Sequence, residues 1–223
     1  MSFKRFREFQ KGEFIIVGAD TAAGGGDNCA VQFLSHKWLD VPQVYHSKVT
    51  ASFMTPLLHE ELTRIHQETG VQPVIAYERN NGGGFEMDRL ARLNRFGDYR
   101  IYTMKHLDPT GRVVDTGKLG WDTNTATRPK MLQELKDAVE SELLHIYHRM
   151  TVDEMFSFII SKTGKPEAED GAHDDLVMSL AIAWQLYQTE KPKIEQGGGV
   201  VETDESIGFY KKAGVLYAGG YNE

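Results

Sequence analysis

Hydrophobic positions along this chain follow two periods, and the switches between them mark its elements. Residues 13–20 (EFIIVGAD) form an apolar run of β-branched and aromatic residues without helical spacing, which predicts a buried strand closing at Asp20. A glycine-rich turn leads to a second strand over 29–35, forming a hairpin, and a third strand over 44–50 follows the turn at Pro42. Helical spacing then begins: Leu57, Leu58, Leu62 and Ile65 predict a helix that starts at Thr55-Pro56 and stops at Gly70. Residues 71–78 predict a fourth strand closing at Glu78, 85–94 a helix, and 99–104 a fifth strand.

Residues 105–125 combine glycines, a proline, and basic and aromatic side chains, and predict a hairpin or mobile loop. Met131, Leu132, Leu135 and Val139 predict a helix opening near Pro129, followed by a short segment over 144–147. Thr151-Val152-Asp153-Glu154 reads as a capping box that opens another helix, and a strongly apolar helix runs over about 174–188. Hairpins first, then alternating helices and strands, imply an α/β fold: a mixed sheet with its first three strands antiparallel, flanked by helices. That order does not suit a dinucleotide-binding fold, and Gly24-Gly25-Gly26 is followed by a strand, so it reads as a turn. Residues 1–12 read as a linker, 13–189 as the domain, and 190–223, where periodicity vanishes, as a flexible tail.

The 223 residues suffice for one sizeable core, and the single cysteine, Cys29, excludes an internal disulfide framework. No apolar stretch has the length of a membrane span, and the charged segment Met1–Gln10 has no apolar centre, so neither a membrane nor a secreted location is expected. The net charge of −7 argues against holding nucleic acid by charge alone and implies delivery of any such substrate by a partner.

Candidate chemistry lies in acidic residues at element ends. Asp20 and Glu78 each follow a buried strand, and Asp174-Asp175 opens the last helix. A carboxylate there is costly to desolvate unless a cation meets it, so three from distant parts of the chain suggest one shared site. Oxygen donors favour Mg²⁺ or Mn²⁺, and no His/Cys cluster with zinc spacing competes. One or two such ions can activate a water and stabilise the departing oxygen of a phosphodiester. On a helix, 175, 178, 179 and 182 share a face, which makes Asp175 the sheet-facing ligand and Asp174, about 100° away, an accessory one.

Plainer roles stay open beside these: Asp20 as a turn cap, Glu78 paired with Arg79 or Arg100, and Asp174-Asp175 answering the helix dipole. Candidate DNA contacts are the backbone of Gly82 and Gly83, His173 beside the acidic pair, Lys105 in the glycine-rich segment, and Arg128 and Lys130 at a helix start. Each also has an ordinary surface reading.

Taken together, GADTAAGGGD (18–27), AYERNNGGG (76–84), TRPKML (127–132) and EAEDGAHDDLVMSLAIAW (167–184) resemble the nuclease domain of the large terminase subunit of tailed bacteriophages, in order over about 13–188. The resemblance implies an RNase H-like fold and a metal-dependent endonuclease that cuts concatemeric viral double-stranded DNA during genome packaging in the host cytoplasm. It assigns metal binding and catalysis to Asp20, Glu78 and Asp175, with Asp174 beside them. It also implies a terminase ATPase domain, a small terminase subunit and a portal protein as partners. Related resolvases carry a further acid one turn into the last helix, where this chain has Met178, so a fourth ligand would come from Asp174, Asp27 or water. No G-x-x-x-x-G-K-[ST] motif occurs, so the chain reads as the nuclease part without its motor. The alternatives are a junction resolvase or transposase-like nuclease of the same fold, and a portal- or motor-docking module with residual nuclease activity.

Overall fold

The computed structural model describes residues 3–21, 28–80, 82–107, 110–160, 166–168, 173–196, 199–202, 209–212 and 215–218. The expected turn over 22–28 therefore lies outside the described residues except for Asn28, and Asp27 lies outside them too. The chain divides into a unit spanning Met1–Glu190 and a second spanning Lys191–Glu223. In the second, described residues pair as two antiparallel hairpins, Lys193–Gln196 with Gly199–Glu202 and Phe209–Lys212 with Val215–Ala218; residues 197–198, 203–208, 213–214 and 219–223 of the expected tail lie outside the described residues.

The first unit opens with β1 (Lys4–Arg5), β2 (Ile15–Asp20), β3 (Cys29–Ser35), β4 (Asp40–Val41) and β5 (Gln43–Ser47). Next come α1 (Ala51–Thr69), β6 (Val74–Tyr77), α2 (Gly83–Leu93), β7 (Arg100–Ile101), β8 (Thr103–Leu107) and β9 (Val113–Leu119). α3 (Thr127–Glu140), β10 (His145–Ile146), α4 (Arg149–Phe156), β11 (Phe158–Ile160), β12 (Pro166–Ala168) and α5 (Asp175–Thr189) complete it. The main sheet has the order β1-β5-β3-β2-β6-β7. β2, β3 and β5 are antiparallel neighbours, while β6 runs parallel to β2 and β7 parallel to β6. This is the mixed α/β sheet expected from the sequence.

Alternation along the strands splits the core in two. Ile16, Ala30, Leu34, Val44, Val74 and Ala76 pack with α3 and α5 on one face. Ile15, Val17, Val31, Phe33, Tyr45 and Ile75 pack with α1 and α2 on the other. α5 is buried without interruption from Asp175 to Leu186, which explains why its sequence is apolar on all sides rather than striped. Its backbone lies directly on β2: a Cβ at Gly18 would stand 2.1 Å from the Ser179 carbonyl oxygen and 2.6 Å from the Ala183 nitrogen.

Four local expectations are corrected. Residues 1–12 are more than a linker: β1 pairs with β5, and Arg7 bridges the buried Glu13 and Asp40 at 2.6 Å each. α1 starts five residues before Pro56, at Ala51; the helix tolerates the proline because the carbonyl of Ser52, which a residue-56 N–H would have met, accepts from Arg89 Nη1 at 2.6 Å instead. The expected strand over 99–104 splits at Tyr102, with β7 staying in the sheet and β8 leaving it as a hairpin with β9. Thr151 sits inside α4 rather than capping it, since the N-cap is His148, and Glu154 bonds elsewhere. Gly70 does end α1 in the left-handed conformation, its N–H donating to the His66 carbonyl at 2.8 Å.

Replacing Gly18 with alanine forces a Cβ between two packed backbones, and should lower the unfolding free energy by about 1–3 kcal/mol. Urea titration of Gly18→Ala against the parent checks this; equal midpoints would show that α5 does not sit on β2.

Candidate carboxylate site

β2 and β6 run side by side, with Ala19 opposite Tyr77 and the Glu78 N–H donating to the Ala19 carbonyl at 2.8 Å. Asp20 and Glu78 thus leave adjacent parallel strands one residue later. Both follow the alternation of Ile16 and Ala76, which places them on the α5 side of the sheet. Each is only 7% exposed. α5 begins above this edge, and its first residue, Asp175, is 9% exposed.

Burial raises the Asp20 pKa well above the ordinary carboxylate range, and the neighbouring charges of Glu78, Asp175 and Asp174 push it further the same way. Asp175 is also raised, chiefly by burial, against the lowering effect of its hydrogen bonds from Asn28. Those bonds run from the Asn28 backbone N–H and Nδ2 to Asp175 Oδ2 at 3.4 and 3.3 Å. Asp174 is ion-paired with Arg128. His173 is half exposed, with Nδ1 3.9 Å from Asp175 Oδ2. Among the described residues, no three His, Cys, Asp or Glu side chains are arranged to hold a metal ion as they stand.

The plainer alternatives for Glu78 do not hold. Arg79 reaches the Leu119 carbonyl, and Arg100 pairs with Glu190 at 3.0 Å. Glu78 is instead approached by Asn80 Nδ2 at 3.4 Å and flanked by Trp121, which forms a parallel bridge with it. The candidate DNA contacts separate. Lys105 is ion-paired with Glu190, and Arg128 is engaged by Asp174. Lys130 is exposed, 3.6 Å from Glu134. Gly82 takes a left-handed conformation before α2, and the N–H of Gly83 turns back to the Asn80 carbonyl at 3.0 Å. Gly83 is needed for space: a Cβ there would stand 1.8 Å from the Glu78 carbonyl oxygen.

Three residues near the site escape sequence reasoning. Asn28 gives no motif, since its role depends on α5 crossing its strand. His46 lies across from Ala30, which lies across from Asp20, so all three share a face; its buried Nε2 has no hydrogen-bond partner among the described residues. Burial lowers the His46 pKa while Asp175 raises it. Glu154 Oε2 accepts from the backbone N–H groups of Leu176 and Val177 at 2.9 and 3.3 Å, and burial pushes its pKa up to about 7.

No protein-family model matches the chain. Solved structures do share its architecture. The large terminase nuclease of the thermophilic phage G20c with bound magnesium aligns with a TM-score of 0.58 at 15% identity, over 85% of this chain and 88% of that one. The large terminase nuclease domain of Thermus phage P74-26 gives 0.57 at 16%, over 86% and 88%. A manganese-soaked human cytomegalovirus terminase nuclease domain gives 0.52 at 13%, over 78% and 83%. The fold is therefore of the RNase H-like α/β class. Within that class, it is the fold seen in large-terminase nuclease domains.

Asp20 and Glu154 both hold protons to higher pH folded than unfolded, so the stability they contribute is present below the unfolded carboxylate range and lost as pH rises through their raised folded values, about 7 for Glu154. Asp20→Asn, fixed in the neutral form, should raise the melting temperature of the metal-free chain at pH 8 and have little effect at pH 4. A difference independent of pH, followed by calorimetry, would remove the buried-charge account of Asp20.

Proposed function

We propose that this chain is a metal-dependent endonuclease of the terminase type, cutting concatemeric viral double-stranded DNA as genomes are packaged. The observation that carries this reading is the burial of Asp20, Glu78 and Asp175 at one sheet edge, where the largest influences on Asp20 are burial and other carboxylates. Such a set is stable at neutral pH only by holding a proton or by meeting a hard cation. The all-oxygen donor set fits Mg²⁺ or Mn²⁺, which are among the ions named for the G20c and cytomegalovirus structures alongside cobalt and zinc. In this reading the three carboxylates, which do not form a metal-ready cluster as they stand, gather around the ion when it binds.

A bound dication of this kind supplies an activated water and stabilises the departing oxygen. The chain's own residues do the rest. Asp20 and Glu78 present oxygens from adjacent strands, and Asn28 orients Asp175 towards them. Arg128 balances the charge of Asp174, so Asp174 serves as the accessory ligand if that ion pair opens. Met178 is buried in the core at the position where related resolvases carry a further acid, which leaves Asp174, Asp27 or water to complete the set. His173 and Lys130, both exposed, meet the DNA backbone at the rim. With a net charge of −7, the chain relies on partners to bring DNA to it: a terminase ATPase domain, a small terminase subunit and a portal protein, in the host cytoplasm. Among the described residues, no helix is long and apolar enough to cross a membrane.

Asp20→Ala, Glu78→Ala and Asp175→Ala should each lower cutting of linear duplex by roughly two orders of magnitude or more, the scale for losing a group that stabilises transition-state charge. Their circular dichroism should match the parent. A nicking and linearisation assay in Mn²⁺, with and without EDTA, checks this; cutting in excess chelator, or by any of the three variants at the parental rate, contradicts the assignment.

A further inference from the structure

The N-terminus of α5 sets where Asp175 stands, and a different helix anchors it. The N-cap residue, Asp174, makes no side-chain hydrogen bond to the helix it precedes. First-turn N–H groups have no partner inside their own helix. Here two of them, from Leu176 and Val177, are taken by Glu154 Oε2 on α4. One turn earlier on α4, the buried Thr151 Oγ1 accepts from Gln32 Nε2 at 2.8 Å, and the same amide donates to the Leu176 carbonyl at 3.3 Å. Leu176 is thus held at both its N–H and its C=O, next to Asp175.

We propose that Glu154 is a positioning residue of the carboxylate site, acting through the first turn of α5 to keep Asp175 directed at Asp20 and Glu78. Its functional meaning rests on the nuclease reading above; the hydrogen bonds stand independently of it. Each helical residue advances the side chain by about 100° around the axis, so fraying by one residue would turn Asp175 away from the sheet. The role requires an acceptor oxygen at the reach of a glutamate side chain and does not require its charge. Neither Thr151 nor Gln32 supplies an acceptor for those two N–H groups.

The test compares Glu154→Ala and Glu154→Gln with the parent chain, using amide hydrogen exchange and Mn²⁺ calorimetry. In E154A, exchange at Leu176 and Val177 should accelerate and Mn²⁺ affinity should fall roughly tenfold, the scale for losing a group that orients a metal ligand. E154Q, which keeps the acceptor, should restore slow exchange and near-parental affinity. Should E154A not fold, Glu154→Asp, shorter by one methylene, carries the same comparison. Unchanged Mn²⁺ affinity in the alanine variant, or in the shortened aspartate variant where that one is used, whether or not exchange accelerates, would overturn the positioning role alone. Failure of E154Q to restore affinity would do the same. A parent chain that bound no Mn²⁺ would instead remove the nuclease reading and the role together.

Discussion

The contact of α5 with β2 is the constraint on which the rest of this structure depends. Gly18 has no side chain, so the Ser179 carbonyl and the Ala183 backbone rest against the strand itself. A helix that close to the sheet must be apolar on every side, because α3 and α4 cover its outer surface. Its N-terminus then falls at the ends of β2 and β6, where parallel strands direct their last residues outward. In open α/β sheets, this carboxyl edge is where ligands bind. Asp175 therefore arrives near Asp20 and Glu78 as a consequence of packing.

Two groups of buried carboxylates in this chain show opposite electrostatic solutions. Glu13 and Asp40 are almost fully buried, and Arg7 lies between them with short ion pairs to both. That group is complete within the protein and locks the N-terminal segment to the domain. Asp20 is equally buried, yet its main charged neighbours are Glu78, Asp175 and Asp174. Like charges brought together in a poorly solvated place raise one another's proton affinity. The contrast within one molecule is the physical basis for reading the second group as a cation site.

Much of this was legible in the sequence, and the parts that were not share a cause. Strand ends at Asp20 and near Glu78, the stop at Gly70 and the buried face of the last helix follow from local period and turn chemistry. The N-terminal strand was not legible because Lys4–Phe9 (KRFREF), four of its six residues charged, looks polar until Arg7 meets Glu13 and Asp40. Pro56 looked like a helix start because the compensating donor, Arg89, lies on another helix. Glu154 carried a capping signal, but the N-terminus it serves belongs to α5. Asn28 and His46 had no signal at all, since each matters only through elements that cross it. Local chemistry located the candidate carboxylates; their supports are tertiary.

In the proposed nuclease, Asp20, Glu78 and Asp175 form one receptor for a hard dication. Anomalous diffraction from crystals of this chain grown in Mn²⁺ tests it most directly. A manganese peak is expected at the carboxyl ends of β2 and β6 with oxygens from all three residues as ligands. A peak bound elsewhere, or these three carboxylates left without an ion at saturating manganese, would contradict it.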